Sequence, residues 1–277
     1  MRIDSHQHFW RYQAERDAWI SDQMSVLKRD FLPSNLIPEL EANGMDGCVA
    51  VQADQSEQET LFLLDLADRH STIKGVVGWV DLRSQDLPAR LRSFSKYEKL
   101  RGFRHIVQAE PDDRFMLGAE FLRGIECLSD FNFTYDILIY PKQLPAALGL
   151  VERFPKQRFV VDHMAKPSIK SGDNKNWSDQ IRAIAANPNA YCKVSGLITE
   201  ADWKTWRAED FKPYLDVVFD AFGCDRLMFG SDWPVCLLAG TYRQVKELIG
   251  DYVKSRFPEQ QQKIFGDNAA RFYGLRA

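Results

Sequence analysis

Eight short β-rich runs, spread evenly along the chain, restrict its fold more than any other feature. They cover residues 3–9, 47–52, 75–80, 102–106, 133–139, 159–163, 191–195 and 227–231. The seven intervals between His8 and Ser231 average about 32 residues, the length of one βα unit. The six inner runs are β-branched or aromatic throughout, the pattern of parallel strands buried on both faces. Helical stripes fill the gaps. Residues 35–43 stop at Gly44, and Ser56-Glu57-Gln58-Glu59 reads as a capping box opening a helix that runs to His70. Further stripes fall on Leu87 and Leu91, on Phe121, Ile125 and Leu128, on Leu144, Leu148 and Val151, and on Ile181 and Ile184. Leu215, Val218 and Phe222 precede Gly223, and Val245, Leu248 and Tyr252 complete the set. All of these read as core.

Alternating strands and helices imply parallel pairing, and eight such units imply a closed (β/α)₈ barrel of the TIM type, an α/β fold in one domain spanning residues 1–277. The alternative is a doubly wound sheet, but no GxGxxG follows an early strand and no GxxxxGK[ST] occurs. The longer inserts 11–33 and 196–210, rich in tryptophan and charge, read either as loops over the barrel mouth or as surface excursions packed by Trp19, Trp203 and Trp206.

A formal net charge of −3 argues against nonspecific nucleic-acid binding. No run of 18 apolar residues predicts a membrane span, and the N-terminal strand does not look like a signal peptide. The five cysteines, odd in number and without a CxxC pair, fit reduced thiols in a cytoplasmic protein. The oligomeric state stays open, a homo-oligomer included.

A barrel presents its chemistry at the C-terminal ends of its strands. Those ends carry His6 and His8, Gln52, Trp79, Arg104 and His105, Asp136 and Tyr140, Asp162 and His163, Ser195, and Ser231 with Asp232. Four of the five histidines fall there; His70 lies at a helix end. Two imidazoles on one strand face suit either a metal or paired donors to an oxyanion. Neither Ser195 nor Ser231 sits in G-x-S-x-G, so a serine triad is disfavoured. For Arg104, a structural ion pair with Asp136 or Asp162 stands beside a role at the substrate. Lys166 has the same two readings, substrate or nearby carboxylate.

Asp4-x-His6-x-His8-Phe9-Trp10, Gly102-Phe103-Arg104-His105, Asp162-His163-Met164-Ala165-Lys166-Pro167, Lys193-Val194-Ser195-Gly196-Leu197, Gly230-Ser231-Asp232-Trp233-Pro234 and Gly266-Asp267-Asn268-Ala269-Ala270-Arg271-Phe272-Tyr273 occur in this order. Together they resemble the amidohydrolase superfamily, and within it the lactonases acting on sugar lactones and on pyrone dicarboxylate. The resemblance implies a hydrolase opening a sugar lactone, a small-molecule substrate, to its aldonic acid. Asp232 would activate water while His6, His8 and His163 polarise the carbonyl. Arg104, His105, Gln52, Trp79, Lys166 and Tyr140 would bind substrate. Strand 4 lacks the lysine that bridges two metals in many members, and strand 5 lacks the histidine of one-metal members. Any Zn²⁺ would therefore rest on His6, His8 and Asp232, as an optional rather than obligatory cofactor. The rival readings are a metal-dependent amidohydrolase or decarboxylase of the same superfamily, and a barrel without catalysis that serves as a binding protein.

Overall fold

Eight parallel strands pair in sequence order in a computed structural model that describes residues 1–172 and 174–276. The strands are β1 (Ile3–Gln7), β2 (Gly47–Val51), β3 (Ile73–Gly78), β4 (Leu100–His105), β5 (Thr134–Ile137), β6 (Phe159–Val161), β7 (Ala190–Val194) and β8 (Leu227–Phe229). Helices α1 (Pro33–Ala42), α2 (Glu57–Arg69), α3 (Leu87–Phe94), α4 (Ala119–Asp130), α5 (Leu144–Arg153), α6 (Lys175–Ala185) and α7 (Ala208–Phe222) cross between them. Two more, α8 (Tyr242–Arg256) and α9 (Asn268–Tyr273), follow β8. Every predicted strand and helical stripe has its counterpart, and the fold is the expected (β/α)₈ barrel. The predicted sixth strand is shortened, ending at Val161 instead of His163. Among the described residues no helix is long and apolar enough to cross a membrane.

The last seam places the chemistry. Beyond β8 the chain returns to β1: Gln7 pairs in parallel with Trp233, the His8 amide donates to the Trp233 carbonyl at 2.7 Å, and the Asp232 amide donates to the His6 carbonyl at 2.8 Å. Asp4 clamps the same seam from below. Its Oδ1 accepts from the amides of His6 (3.1 Å) and Ser231 (2.9 Å), and its Oδ2 accepts from the Ser231 hydroxyl at 2.6 Å. Gly230 lies so close to β1 that a Cβ would stand 2.6 Å from that of His6. The Asp-x-His-x-His and Gly-Ser-Asp segments are thus two halves of one joint.

At α2 the predicted capping box is half made. The Ser56 hydroxyl accepts from the Glu59 amide at 3.1 Å, but the Glu59 carboxylate turns to the Ala53 amide at 3.3 Å. Burial pushes the Glu59 carboxyl up from 4.5 to about 7. Because the folded value exceeds the unfolded one, stability present below pH 4.5 is lost as pH rises through 7. The ceiling is roughly 3 kcal/mol, from about 1.4 kcal/mol per unit. Glu59→Gln keeps an acceptor for Ala53 and removes the charge. It is expected to raise the melting temperature at pH 8 and leave it unchanged at pH 4; equal shifts at both would disprove the titration of Glu59 over this range.

Candidate active site

Three histidines and a carboxylate converge at the C-terminal mouth of the barrel. His6, on β1, and His8, one residue past its end, turn to the same side, their Nε2 atoms 3.2 Å apart. Asp232 comes from the turn after β8; its Oδ1 lies 3.3 Å from His8 Nε2, 3.8 Å from His163 Nε2 and 3.9 Å from His6 Nε2. His163 arrives by an uncommon route. His163, Met164, Ala165 and Lys166 all hold positive φ, between 50° and 58°, forming a left-handed turn of four non-glycine residues. Such a conformation costs roughly 1–2 kcal/mol per residue. It is held by burial and by the Trp177 indole, which donates to the Met164 carbonyl at 2.7 Å. The turn lays the His163 ring against Gly196 at φ +63°, where a Cβ would stand 2.6 Å from Nδ1.

Hydrogen bonds decide which ring nitrogens carry protons. His8 Nδ1 faces the Val51 carbonyl at 2.8 Å, so the neutral ring donates there and leaves Nε2 as an acceptor. His163 Nδ1 pairs with the Ser195 hydroxyl at 2.9 Å. If the hydroxyl donates, His163 presents Nε2–H to the cavity. Burial holds His163 well below its ordinary pKa against the opposing charge of Asp232. Burial likewise keeps His6 neutral, assisted by Lys193 and opposed by Asp162. Burial alone would raise the Asp232 pKa, but His163, His8 and Lys166 outweigh it and hold this carboxyl below its usual value.

Under the histidines lies a buried charge network. Arg104 Nη1 stands 3.2 Å from His6 Nε2 and 3.1 Å from Asp162 Oδ2, and Nη2 donates to both oxygens of Gln52, backbone and side chain. Lys193 Nζ contacts Asp136 Oδ2 at 2.6 Å, Asp162 Oδ1 at 3.0 Å and His6 Nδ1 at 3.1 Å. The Tyr273 hydroxyl, from α9, donates to Asp136 Oδ2 at 2.7 Å. Burial pushes Asp136 up to about 6. Burial also acts to raise Asp162, but Lys193, His6 and Arg104 overcome it and hold that group well below the usual range.

The set fits a metal ion. His6 Nε2, His8 Nε2 and the Asp232 carboxylate all lie within 4.8 Å of one another, and a second group joins His6 with Asp162 and His163. Nitrogen ligands at 2.0–2.1 Å from a tetrahedral zinc stand about 3.3 Å apart, matching the 3.2 Å between His6 and His8. A metal there would have to take the His6 Nε2 lone pair from the Arg104 contact, so ion and guanidinium compete for that nitrogen. The same contact places positive charge beside His6 without any metal.

Above this floor opens a cavity of about 290 Å³. His8, Arg104, His163 and Asp232 form its polar base, with Lys166 on one side. Trp10, Trp19, Ile106, Leu138 and Val235 supply an apolar wall. The insert 11–33 therefore reaches the mouth through Trp19. In the insert 196–210, Trp206 is pinned by its indole donating to the Ala239 carbonyl at 2.7 Å.

Not all the predicted substrate residues meet at this cavity. Gln52 is buried beneath it, where its Nε2 donates to the Arg104 carbonyl at 3.2 Å. His105 neighbours Arg104 on β4, and strand alternation turns it to the opposite face. There Nε2 meets Glu110 Oε1 at 2.7 Å, Nδ1 meets the Trp79 indole at 3.3 Å, and the ring stacks on Phe115. Trp79 is committed to that outer contact. Tyr140 lies on the exposed rim, its ring 5.4 Å from Lys166 Nζ. Sequence reasoning overlooked Lys193 and Gln108. A lysine inside an otherwise apolar parallel strand was the available signal for Lys193. For Gln108, beside the cavity after β4, no pattern distinguished it.

The amidohydrolase family model matches residues 3–275, and the chain belongs to that family. Its relatives narrow the class. The chain is 43% identical to an L-fucono-1,5-lactonase of Burkholderia multivorans, over 99% of this chain and 96% of the relative. It is 38% identical to an L-fucono-1,5-lactonase of Burkholderia ambifaria, with the same coverage. A crystal structure of a B. multivorans amidohydrolase with bound zinc superposes with a TM-score of 0.96 at 43% identity, covering 100% of both chains.

Proposed function

We propose that this protein is a lactonase that opens a neutral sugar lactone to its aldonic acid, with Asp232 as the base. The observation that carries this reading is the Asp232 carboxylate, 3.3 Å from His8 Nε2, at the floor of a cavity walled by indole and aliphatic side chains. The full-length likeness to L-fucono-1,5-lactonases supports a sugar lactone as substrate and favours a six-membered ring. Neutral substrates are favoured because the cations are already engaged. Arg104 is spent on Asp162, Gln52 and His6, and Lys166 faces Glu200.

Water bound between His8 Nε2 and Asp232 gives a proton to Asp232 as its oxygen attacks the lactone carbonyl. His163 Nε2–H stabilises the developing oxyanion, with the Arg104 charge behind it. His8 orients the water through Nε2, and His6 holds the geometry between Arg104 at Nε2 and Asp162 at Nδ1. Collapse breaks the ring C–O bond, and Asp232 returns its proton to the leaving oxygen. A metal held by His6, His8 and Asp232 would supply a more acidic water and Lewis-acid polarisation. We propose that turnover does not require it, since Arg104 and Lys193 already bring positive charge to His6.

Stereoisomeric 1,4- and 1,5-aldonolactones, followed by a pH indicator with and without exhaustive chelation, test both parts. The expected result is turnover of a 1,5-lactone that chelation changes less than two-fold. Activity abolished by chelation and restored by Zn²⁺ would overturn the metal-independent mechanism and favour the metal-dependent reading. A bound stoichiometric metal without hydrolysis of any lactone would overturn the lactonase.

A further inference from the structure

Beside the cavity, two chain segments far apart in sequence bring a lysine and a glutamate together. Lys166 closes the left-handed turn after β6 and lines the cavity. Glu200 belongs to the segment after β7, and its Oε1 stands 3.8 Å from Lys166 Nζ. The backbone fixes Glu200 on both sides, its amide donating to the Leu197 carbonyl and its carbonyl accepting from the Lys170 amide, each at 3.1 Å. Gly196, packed against the His163 ring, anchors the start of the same segment. The pair therefore sits in fixed relation to the catalytic floor. Both side chains are largely buried, 18% and 23% exposed.

A separation of 3.8 Å is too long for a direct hydrogen bond. A hydroxyl oxygen that accepts from Nζ and donates to Oε1, each bond about 2.8 Å, would sit between them once the heads part to about 4.6 Å, a small movement of two flexible side chains. The Tyr140 ring, 5.4 Å from Nζ, closes the outer side. The pair has no net charge, so it suits a neutral hydroxyl better than a carboxylate.

We propose that Lys166 and Glu200 form a hydroxyl-reading subsite, a donor and an acceptor that together select a polyhydroxylated lactone over an unsubstituted one. The proposal rests on the lactonase reading of the same cavity and adds the feature of the substrate that is recognised. Sites built to bond a substrate hydroxyl discriminate strongly against analogues lacking it, because the polar groups are then left unpaired.

The test compares kcat/KM for L-fucono-1,5-lactone and for δ-valerolactone, the same ring without hydroxyls, and reads their ratio. Lys166→Met and Glu200→Met are each expected to lower the ratio at least 10-fold, mainly through KM for the sugar lactone. Their combination should add little, because either change dismantles the shared subsite. Lys166→Arg and Glu200→Gln keep a donor and an acceptor and should retain most of the ratio. A ratio unchanged in both methionine variants, or equal losses on the two lactones, overturns the subsite while leaving the lactonase intact. Wild-type protein that opens neither ring overturns the lactonase reading and the subsite with it. Melting temperatures are read in parallel; should one methionine variant fail to fold, the other, on a different segment, decides.

Discussion

Asp232→Asn is expected to lower kcat by about 10²–10⁴-fold, the range for loss of a general base, with the fold intact. The substitution is close to isosteric, and its backbone is well matched. Asp232 holds φ +57°, a left-handed conformation that asparagine tolerates better than most residues. The contact to His8 Nε2 at 3.3 Å is retained or gains an amide donor. What disappears is the lone pair that takes the proton from water. KM should change little, since the apolar wall and Lys166 are untouched. The pH profile supplies an independent check. Despite burial, His163, His8 and Lys166 keep Asp232 below the usual carboxylate range. The base therefore is ionised at neutral pH, and Asp232 should contribute no acid limb to kcat in the neutral range. Near-wild-type turnover by the asparagine variant, measured by stopped-flow pH indicator, would remove Asp232 from the mechanism.

The barrel was legible because its signals are local and repeated. Apolar runs such as 47–52 and the stripes between them specify strand and helix without long-range information. His6-x-His8 was equally legible, since a period of two puts both rings on one face. That same period, carried to β4, separates Arg104 from His105, and grouping them by position at a strand end ignored it. The left-handed turn at His163 left no trace, because none of Asp162-His163-Met164-Ala165-Lys166 is glycine or asparagine. Only the surrounding packing imposes that conformation. Asp4 shows a third case: its spacing ahead of His6 was visible, but its work, joining β1 to Ser231 across 227 positions, depends on barrel closure. Long-range pairings between charged side chains are the part least encoded in pattern, and Lys193 is the clearest example.

Lys193→Met is expected to destabilise the protein by roughly 3–5 kcal/mol, the cost of leaving a buried charge unpaired. The lysine side chain and both of its carboxylate partners, Asp136 and Asp162, are completely buried. With it gone, Arg104 alone balances two carboxylates. Asp136, already pushed up to about 6, would then bind a proton at neutral pH, its bond from Tyr273 notwithstanding. At about 2–4 °C per kcal/mol for a chain of this size, the melting temperature should fall by roughly 10 °C. High salt should not reproduce the effect, because the pair is shielded from solvent ions. The partner change decides the cause. Lys193→Met combined with Asp136→Asn removes both charges, so most of the lost stability should return, giving a coupling energy that neither single variant predicts. A methionine variant melting within 2 °C of wild type would show that the carboxylates tolerate one another without Lys193. Recovery of stability without recovery of kcat in the double variant would separate two tasks of this lysine: neutralising the barrel interior, and positioning His6 through Asp162, whose Oδ1 lies 3.0 Å from Lys193 Nζ and 3.3 Å from His6 Nδ1.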